Sequence, residues 1–295
     1  MPERSDPALP RQPAPPPAIA MAPGTLVGIG VGPGDPGQVT LQAVATARSA
    51  DRVFGPTVDA ASPGRAESIL SGAAPDVAVE RLVFAIQADT AARAEAHAAA
   101  AARVAGCLED GEVVAFVTLG DPNVYSTFHH LASAVVARRP ATAVRTLPGI
   151  MAFQDLAARA GTVVVDGTER LALVTALEGT GDLEAALADP GAAVVVYKCG
   201  RHLPAIAELL AAAGRLEGAA VGELLGMPGE RVEALAAAAS TPTSYLASVV
   251  VPPARRPAGP GGPAHPGQPA GAGGSGGAGE SGARDPDRPA SRGQG

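Results

Sequence analysis

The sequence predicts an α/β protein of two lobes, with mixed sheets and flanking helices. Three observations point there. Strand-length apolar runs alternate with helical runs from Thr25 to Val251. Several strand runs, such as Val113 to Thr118, are apolar without alternation, the pattern of strands buried on both faces. A second series of such units starts near Thr162.

The elements follow in order. Thr25–Val31 reads as a strand that runs into Gly28-Ile29-Gly30-Val31-Gly32-Pro33-Gly34-Asp35-Pro36. Val39–Ala50 is a helix with Leu41, Val44 and Ala47 on one face, and Asp35 or Thr40 caps it. Arg52–Phe54 is a short strand, Ala66–Leu70 opens a helix, and Val77–Phe84 is a strand. Thr90–Glu109 is a long alanine-rich helix that Gly111 ends. The strand Val113–Thr118 breaks at Leu119-Gly120-Asp121-Pro122. Gly120 lets a backbone come close to another group, and Pro122 fixes φ and biases Asp121 towards an extended conformation. Val124, Phe128, Leu131 and Val135 then recur at helical spacing, which predicts a helix over Val124–Arg138. Ala143–Leu147 is a strand, and the Pro148-Gly149 turn leads to a helix over Met151–Arg159.

In the second series, Leu171–Ala176, Ala192–Tyr197, Ala219–Glu223 and Ser244–Val251 read as strands. Leu183–Ala188, Leu203–Ala213 and Glu230–Ala237 read as helices. The lobes are expected at residues 24–161 and 162–253. Residues 1–23 are rich in Pro and Ala, and residues 254–295 in Gly, Pro, Ala and Ser. Neither end can bury enough apolar surface to offset the entropy of ordering it, so both are expected to be disordered. Met21, just before the first strand, is a second candidate start, and the first residues lack the layout of a secretion signal.

Composition excludes several classes. Net charge is −7, which argues against non-specific nucleic-acid binding. No run is long and apolar enough to read as a membrane span. Cys107 and Cys199 give neither a disulfide framework nor a metal spacing, which fits a reducing, cytoplasmic location. There are only three tyrosines, Tyr125, Tyr197 and Tyr245, and Lys198 is the only lysine. All four fall in the segments singled out below.

The first glycine-rich loop invites a dinucleotide reading, which fails on detail. Counting from Gly28 and Gly30, the third glycine position holds Pro33; counting from Gly30 and Gly32, it holds Asp35. An Asp in the turn also repels a pyrophosphate, and no Lys follows to make a phosphate-binding loop. What survives is a tight loop whose backbone can approach a ligand or another strand.

Five segments in order, GVGPGDPGQVTLQAV (30–44), VAFVTLGDPNVYSTF (114–128), LPGIMAFQDLAARAG (147–161), VVVYKCG (194–200) and YLASVVVPPARR (245–256), resemble the tetrapyrrole (precorrin) methyltransferase family. The resemblance spans residues 24–256. It implies two α/β lobes in a homodimer, with S-adenosylmethionine folded into the cleft between the lobes. TLGDPNVYSTF and the YLASVVVPP ending imply C-methylation of precorrin-2 at C20; the cobalt-containing analogue cobalt-factor II, or another ring position, stays open.

Carried over residue by residue, the resemblance implies cofactor contacts at Pro33, Leu119, Gly120, Asp121, Val124, Met151, Ala152, Lys198 and Gly226. It places Gly32, Gly34, Asp35, Tyr125, Ser126 and Thr127 along the tetrapyrrole trough. Family members commonly have Thr or Ser where this chain has Met151, and Lys198-Cys199-Gly200 departs from a commoner Lys-Gly-Gly. His129-His130 reads as an exposed helix face.

The chemistry this implies is an in-line displacement from a sulfonium. The donor is already activated, so the protein aligns the reactants and keeps water out. No nucleophile–base constellation and no metal are expected. Asp121 and the carbonyls near Gly120 have the polarity to hold a cationic, amine-bearing cofactor. Tyr125, Glu223 and Tyr245 are candidates, by polarity and motif neighbourhood, for the base that takes the departing proton. Arg65, Arg81, Arg170 and Arg201 are candidate partners for the substrate's carboxylates. A non-catalytic carrier and a nicotinamide oxidoreductase remain as readings of a different class.

Overall fold

The computed structural model describes residues 19–84 and 90–255, so the expectation of disorder for residues 1–18 and 256–295 lies outside the described residues. The first sheet is built from β1 (Thr25–Gly30), β2 (Arg52–Thr57), β3 (Glu80–Val83), β4 (Val114–Thr118) and β5 (Ala143–Leu147). Between them lie α1 (Leu41–Ser49), α2 (Arg65–Ala73), α3 (Thr90–Glu109) and α4 (Thr127–Arg138). The strand order is β3-β2-β4-β1-β5, and every pair is parallel.

After β5 come α5 (Ala152–Ala160), β6 (Arg170–Thr175), α6 (Gly181–Leu187), β7 (Ala192–Tyr197) and α7 (Leu203–Ala212). β8 (Ala220–Glu223), β9 (Arg231–Ala234), α8 (Leu235–Ala238) and β10 (Ser248–Val251) complete the chain. The second sheet is mixed, in the order β6-β7-β10-β8-β9: β6 and β7 are parallel, and β10 runs antiparallel to both β7 and β8. Among the described residues no helix is long and apolar enough to cross a membrane.

Strand alternation builds a core on each face of each sheet. On one face of the first sheet Leu26, Phe54 and Phe116 pack with Val104 and Leu108 of α3 and Phe128 and Leu131 of α4. On the other, Val27, Ile29, Val53 and Val117 pack with Ala43 and Ala47 of α1 and Ile69 and Leu70 of α2. Val194, Val196, Val249 and Val251 of the second sheet face Leu203, Ile206 and Leu210 of α7 and Leu183 of α6. Its opposite face, Val195, Ala220 and Val250, is covered by Phe153 and Leu156 of α5. α5 thus follows the last strand of the first sheet but packs on the second.

Some element ends shift by a few residues, as where β3 is Glu80–Val83 and β2 extends to Thr57, and other departures or choices between expectations have a local reason. Thr40, not Asp35, caps α1: its hydroxyl accepts from Ala43 N at 3.1 Å, while Asp35 caps a short 3-10 turn at Pro36–Gln38. The helix expected from Val124 starts at Thr127, because Tyr125 has a left-handed φ of 48° and Ser126 is the N-cap. The helix expected over Glu230–Ala237 is strand β9 followed by one turn, α8. There, pairing of β9 with β8 and the cross-strand Arg231–Glu223 ion pair outweigh the alanine-rich helix propensity. The strand expected from Ser244 pairs only from Ser248, after a turn in which Ala247 N donates to Ser244 O.

Candidate functional site

The strand order of the first sheet reverses around β1, β4 and β5, and an open parallel sheet offers its ligand crevice outside the carboxyl ends of the strands at such a point. Three glycines meet there. A Cβ on Gly30 would sit 2.5 Å from the Gly120 carbonyl oxygen and 2.6 Å from Gly149 N; a Cβ on Gly149 would run into the same oxygen. Gly120 itself, at φ 67°, has open space where its Cβ would be. The ends of β1 and β4 are tied by Val31 N to Thr118 O at 3.0 Å and Gly120 N to Gly32 O at 2.8 Å. The result is a close-packed backbone junction with an uncluttered outer side at Gly120.

Asp121 locks this junction. One carboxylate oxygen accepts from Asn123 N at 2.8 Å, closing the turn, and the other accepts from Gly149 N at 3.1 Å, holding the β5–α5 loop against the β4–α4 loop. Ser126 works in the same way one residue group later. Its hydroxyl accepts from Phe128 N at 3.0 Å and shares a hydrogen bond with Thr118 Oγ1 at 2.9 Å. Thr127 and Val124 are half-buried beside it, and Leu119 packs against the first core.

The other wall comes from the second sheet. Gly34 packs so closely on the Leu225 carbonyl that no side chain fits there, and Gly226, at φ 68°, abuts the backbone of Asp35. Gly32, Pro33 and Gly34 are buried and Asp35 is exposed. Behind it, Gln38 donates to the buried Asp155 carboxylate, whose other oxygen accepts from Arg159 at 2.8 Å. Arg159 also reaches Glu230 at 2.7 Å, and Glu230 accepts from Gly226 N at 2.6 Å. This chain links the first glycine loop to the β8–β9 loop across the two sheets.

The β4–α4 loop crosses as well. Tyr125 donates from its hydroxyl to Leu173 O of β6 at 3.1 Å, and its ring meets that of Tyr197 edge-on, with centroids 5.8 Å apart. The Lys198 ammonium lies over the Tyr125 ring, 5.9 Å from its centre. Burial pushes the Tyr197 phenol up to about 12 and the Lys198 ammonium below its usual value. Tyr197 Oη accepts from Phe153 N at the start of α5. Met151 is the residue before that helix, its own N–H bonded to Gln154 Oε1 at 2.8 Å, and Met151 and Ala152 pack half-buried on the second core.

Tyr125, Lys198 and Leu224 are the non-glycine residues at positive φ among the described residues, with φ of 48°, 57° and 51°. Each follows the carboxyl end of a strand at the lobe junction. Such conformations cost about 1 kcal/mol or more apiece and gather where a site demands them.

The three proton-accepting candidates have different surroundings. Both Glu223 oxygens are engaged, one by Ser244 N and the other by Arg231 at 2.8 Å. Burial alone would raise its pKa, but hydrogen bonds from Ser244 and Arg231 outweigh it and hold the carboxyl below the usual range. The Tyr125 hydroxyl is committed to Leu173. Tyr245 is 42 % exposed, and burial of the rest raises its phenol above the usual value. Of the candidate carboxylate partners, Arg81 is bound to Glu67 and Arg170 to Asp189, so neither is available to a ligand without breaking a pair. Arg65 and Arg201 have no carboxylate partner among the described residues. His129 and His130 are exposed on α4.

The structure therefore gathers Pro33, Leu119, Gly120, Asp121, Met151, Lys198 and Gly226 around one junction, while Glu223 belongs to a separate ion-paired cluster. Gly149, Asn123, Tyr197 and the Gln38–Asp155–Arg159–Glu230 chain are also part of the junction. The Asp155–Arg159 pair was readable at helical spacing; the partner Gln38, 117 positions from Asp155, was not.

Comparison with known proteins gives a consistent answer. A family model described as Tetrapyrrole (Corrin/Porphyrin) Methylases matches residues 25–239. A Sinorhizobium protein named precorrin-2 C(20)-methyltransferase is 33 % identical over 238 residues, covering 78 % of this chain and 95 % of that protein. A Salmonella typhimurium protein named cobalt-precorrin-2 C(20)-methyltransferase is 28 % identical, over 70 % of this chain and 86 % of its own. The crystal structure of the methyltransferase CobJ superposes with a TM-score of 0.57 over 80 % of this chain and 98 % of that one, at 21 % identity, a likeness of fold.

Proposed function

The chain belongs to the tetrapyrrole methylase family, and from that premise we propose that it is an S-adenosylmethionine-dependent C-methyltransferase that methylates precorrin-2 at C20, giving precorrin-3A in cobalamin synthesis. The observation that carries the reading is the 33 % identity to a C20-methyltransferase along almost that protein's whole length. A cobalt-bearing substrate is the second reading, favoured by the Salmonella relative.

The junction fits such a cofactor. Gly120 presents open space at its outer side, the walls are backbone amides and carbonyls, and Lys198 supplies a cation where the ligand's carboxylate can be neutralised. Leu119, Gly120 and Val124, Pro33, Met151 with Ala152, Lys198 and Gly226 would hold it, and Asp121, a sequence-predicted contact, would act through the two loops its carboxylate fixes. Bound there, the cofactor supplies a methyl group already activated by the positive charge on its sulfur.

The chain's own part is alignment and exclusion of water. Asp121 fixes two loops at once, which pre-forms the surface around Gly120. Asp35, with Tyr125, Ser126 and Thr127, forms the side we assign to the tetrapyrrole, and the buried Gly32 and Gly34 shape the loop that carries it. Tyr125 joins that side to the second sheet through Leu173 O. A proton must leave C20 after methylation. Among the three candidate bases, Tyr245 keeps its hydroxyl free of any protein partner among the described residues, whereas Glu223 and Tyr125 hold structure.

We further propose a cytoplasmic homodimer. Two free, buried thiols, Cys107 and Cys199, suit a reducing compartment, and residues 143–146 of the edge strand β5 stand exposed, as a strand awaiting a neighbour does. The test of the activity is incubation with S-adenosylmethionine and either precorrin-2 or its cobalt-bearing counterpart, followed by mass spectrometry. Gain of one methyl group on either supports the reading and names the substrate. S-Adenosylhomocysteine binding without methyl gain on either would leave a carrier.

A further inference from the structure

The start of α5 is short of an acceptor. This helix leaves the first sheet to pack on the second, and Met151 and Ala152 stand at its first turn. A helix start leaves its first backbone N–H groups without partners inside the helix. A Ser, Thr, Asp or Asn just before it normally offers an oxygen to the second or third of them. Here that position holds Met151, extended at φ −83° and ψ 151°, whose thioether is only a weak acceptor. One half of a reciprocal cap is present, since Gln154 Oε1 accepts from Met151 N at 2.8 Å. Gln154 N donates to Met151 O at 3.0 Å. The oxygen for Phe153 N, second in the helix, comes from 44 positions away: Tyr197 Oη accepts from it at 3.4 Å. Phe153 is buried, and an amide left without an acceptor there is costly.

Tyr197 is itself held firmly. It ends β7, an interior strand, paired with Thr175 of β6 on one side and Ser248 of β10 on the other. Its side chain lies on the sheet face that α5 covers. Tyr125 braces its ring edge-on, with centroids 5.8 Å apart. Burial keeps the phenol neutral, so the oxygen keeps one charge state in the physiological range.

We propose that Tyr197 is a positioning residue: its hydroxyl is the N-cap that Met151 cannot provide, and it fixes the Met151–Ala152 side of the junction to the end of β7. The consequence for cofactor binding rests on the methyltransferase reading; the capping does not. Asp121 grips the same connection further back, through Gly149 N. The link from β5 to α5 is thereby held at both ends, by Asp121 from the first sheet and by Tyr197 from the second.

The experiment is a double-mutant cycle. Tyr197→Phe keeps the ring and its contact with Tyr125 but removes the hydroxyl. Met151→Thr puts a cap oxygen back at the helix start. Hydrogen exchange followed by NMR reads the Phe153 amide, and calorimetry reads S-adenosylhomocysteine binding. Loss of an N-cap corresponds to about three- to tenfold in an equilibrium constant. In Tyr197→Phe the Phe153 amide should exchange faster by about that factor, and affinity for S-adenosylhomocysteine should fall to match. KM for S-adenosylmethionine rises while kcat stays nearly constant. In the Met151→Thr background the same substitution should change either quantity by less than about twofold. A folded Tyr197→Phe with wild-type exchange at Phe153 overturns the cap. Faster exchange with unchanged S-adenosylhomocysteine affinity overturns the positioning role. An effect equally large in both backgrounds shows that the hydroxyl does not act as a cap, and overturns the proposal too. S-Adenosylhomocysteine is titrated into wild type first, so failure of the methyltransferase reading is seen separately, and the exchange measurement tests the cap whatever that titration shows.

Discussion

Removing the Asp121 carboxylate should loosen the junction and only thereby weaken the cofactor. In Asp121→Ala, Gly149 N–H loses its acceptor at a half-buried site, which costs about 1–2 kcal/mol. The exposed turn bond from Asn123 N adds about 0.5 kcal/mol. Together these come to about 2 kcal/mol, and for a folded region of this size that lowers Tm by about 4–8 °C. The β4–α4 and β5–α5 loops then no longer share one position, and affinity for S-adenosylhomocysteine should fall about tenfold. Calorimetric melting and titration read the two quantities on the same sample. Asp121→Asn should lie between, since one amide oxygen can still accept but its NH2 then faces the second N–H. His129→Ala, on the exposed face of α4, should change neither. The argument is refuted if Asp121→Ala loses affinity while its Tm stays within about 1 °C of wild type. That result would mean the carboxylate touches the cofactor and does not lock the loops.

Other consequences can be checked with the same tools. Gly149→Ala drives a methyl into the Gly120 carbonyl and should cost about 3 kcal/mol or more of stability, seen as a large drop in Tm or loss of folded protein. Gly120→Ala meets open space, so it should cost only the left-handed φ, about 1 kcal/mol, yet weaken S-adenosylhomocysteine strongly by filling the site. Arg159→Met strips the buried Asp155 of its cation and should destabilise by about 3 kcal/mol, measured by denaturant unfolding. Glu223 has a folded pKa below its unfolded value, so its stabilisation is complete above the unfolded pKa and is lost as pH falls through the folded one. Accordingly Glu223→Gln should lower Tm at neutral pH, narrow the difference from wild type in acid, and leave the shape of the pH–rate profile unchanged.

How much of this was legible in the sequence can be judged from particular residues. The central strands β1 and β4 were, because they are buried on both faces and read as unbroken apolar runs, whereas the all-parallel pairing of the first sheet, expected only as part of mixed sheets, was not. The break at Gly120-Asp121-Pro122 marked the junction, because glycine and proline report backbone geometry locally. Glu230–Ala237 reads as a helix because its alanines carry helix propensity, but its first half is strand β9, whose pairing partner Glu223 lies in another strand. The role of Asp121 was only half legible. Its polarity suggested a contact to a cation, but its bond to Gly149 depends on two loops 28 residues apart meeting. Gln38 gave no signal at all, since its partner Asp155 is brought to it only by the docking of one sheet on the other. Lys198 stood out in the sequence as the single lysine; that it is half-buried without an acid partner required the structure.

The central claim is a methyl transfer to one carbon, and its position can be measured. Wild-type protein would be incubated with precorrin-2 and S-adenosylmethionine labelled with 13C in the methyl group, and the product examined by 13C NMR. The account predicts a single enriched methyl attached to C20. An enriched methyl at any other ring position would contradict it.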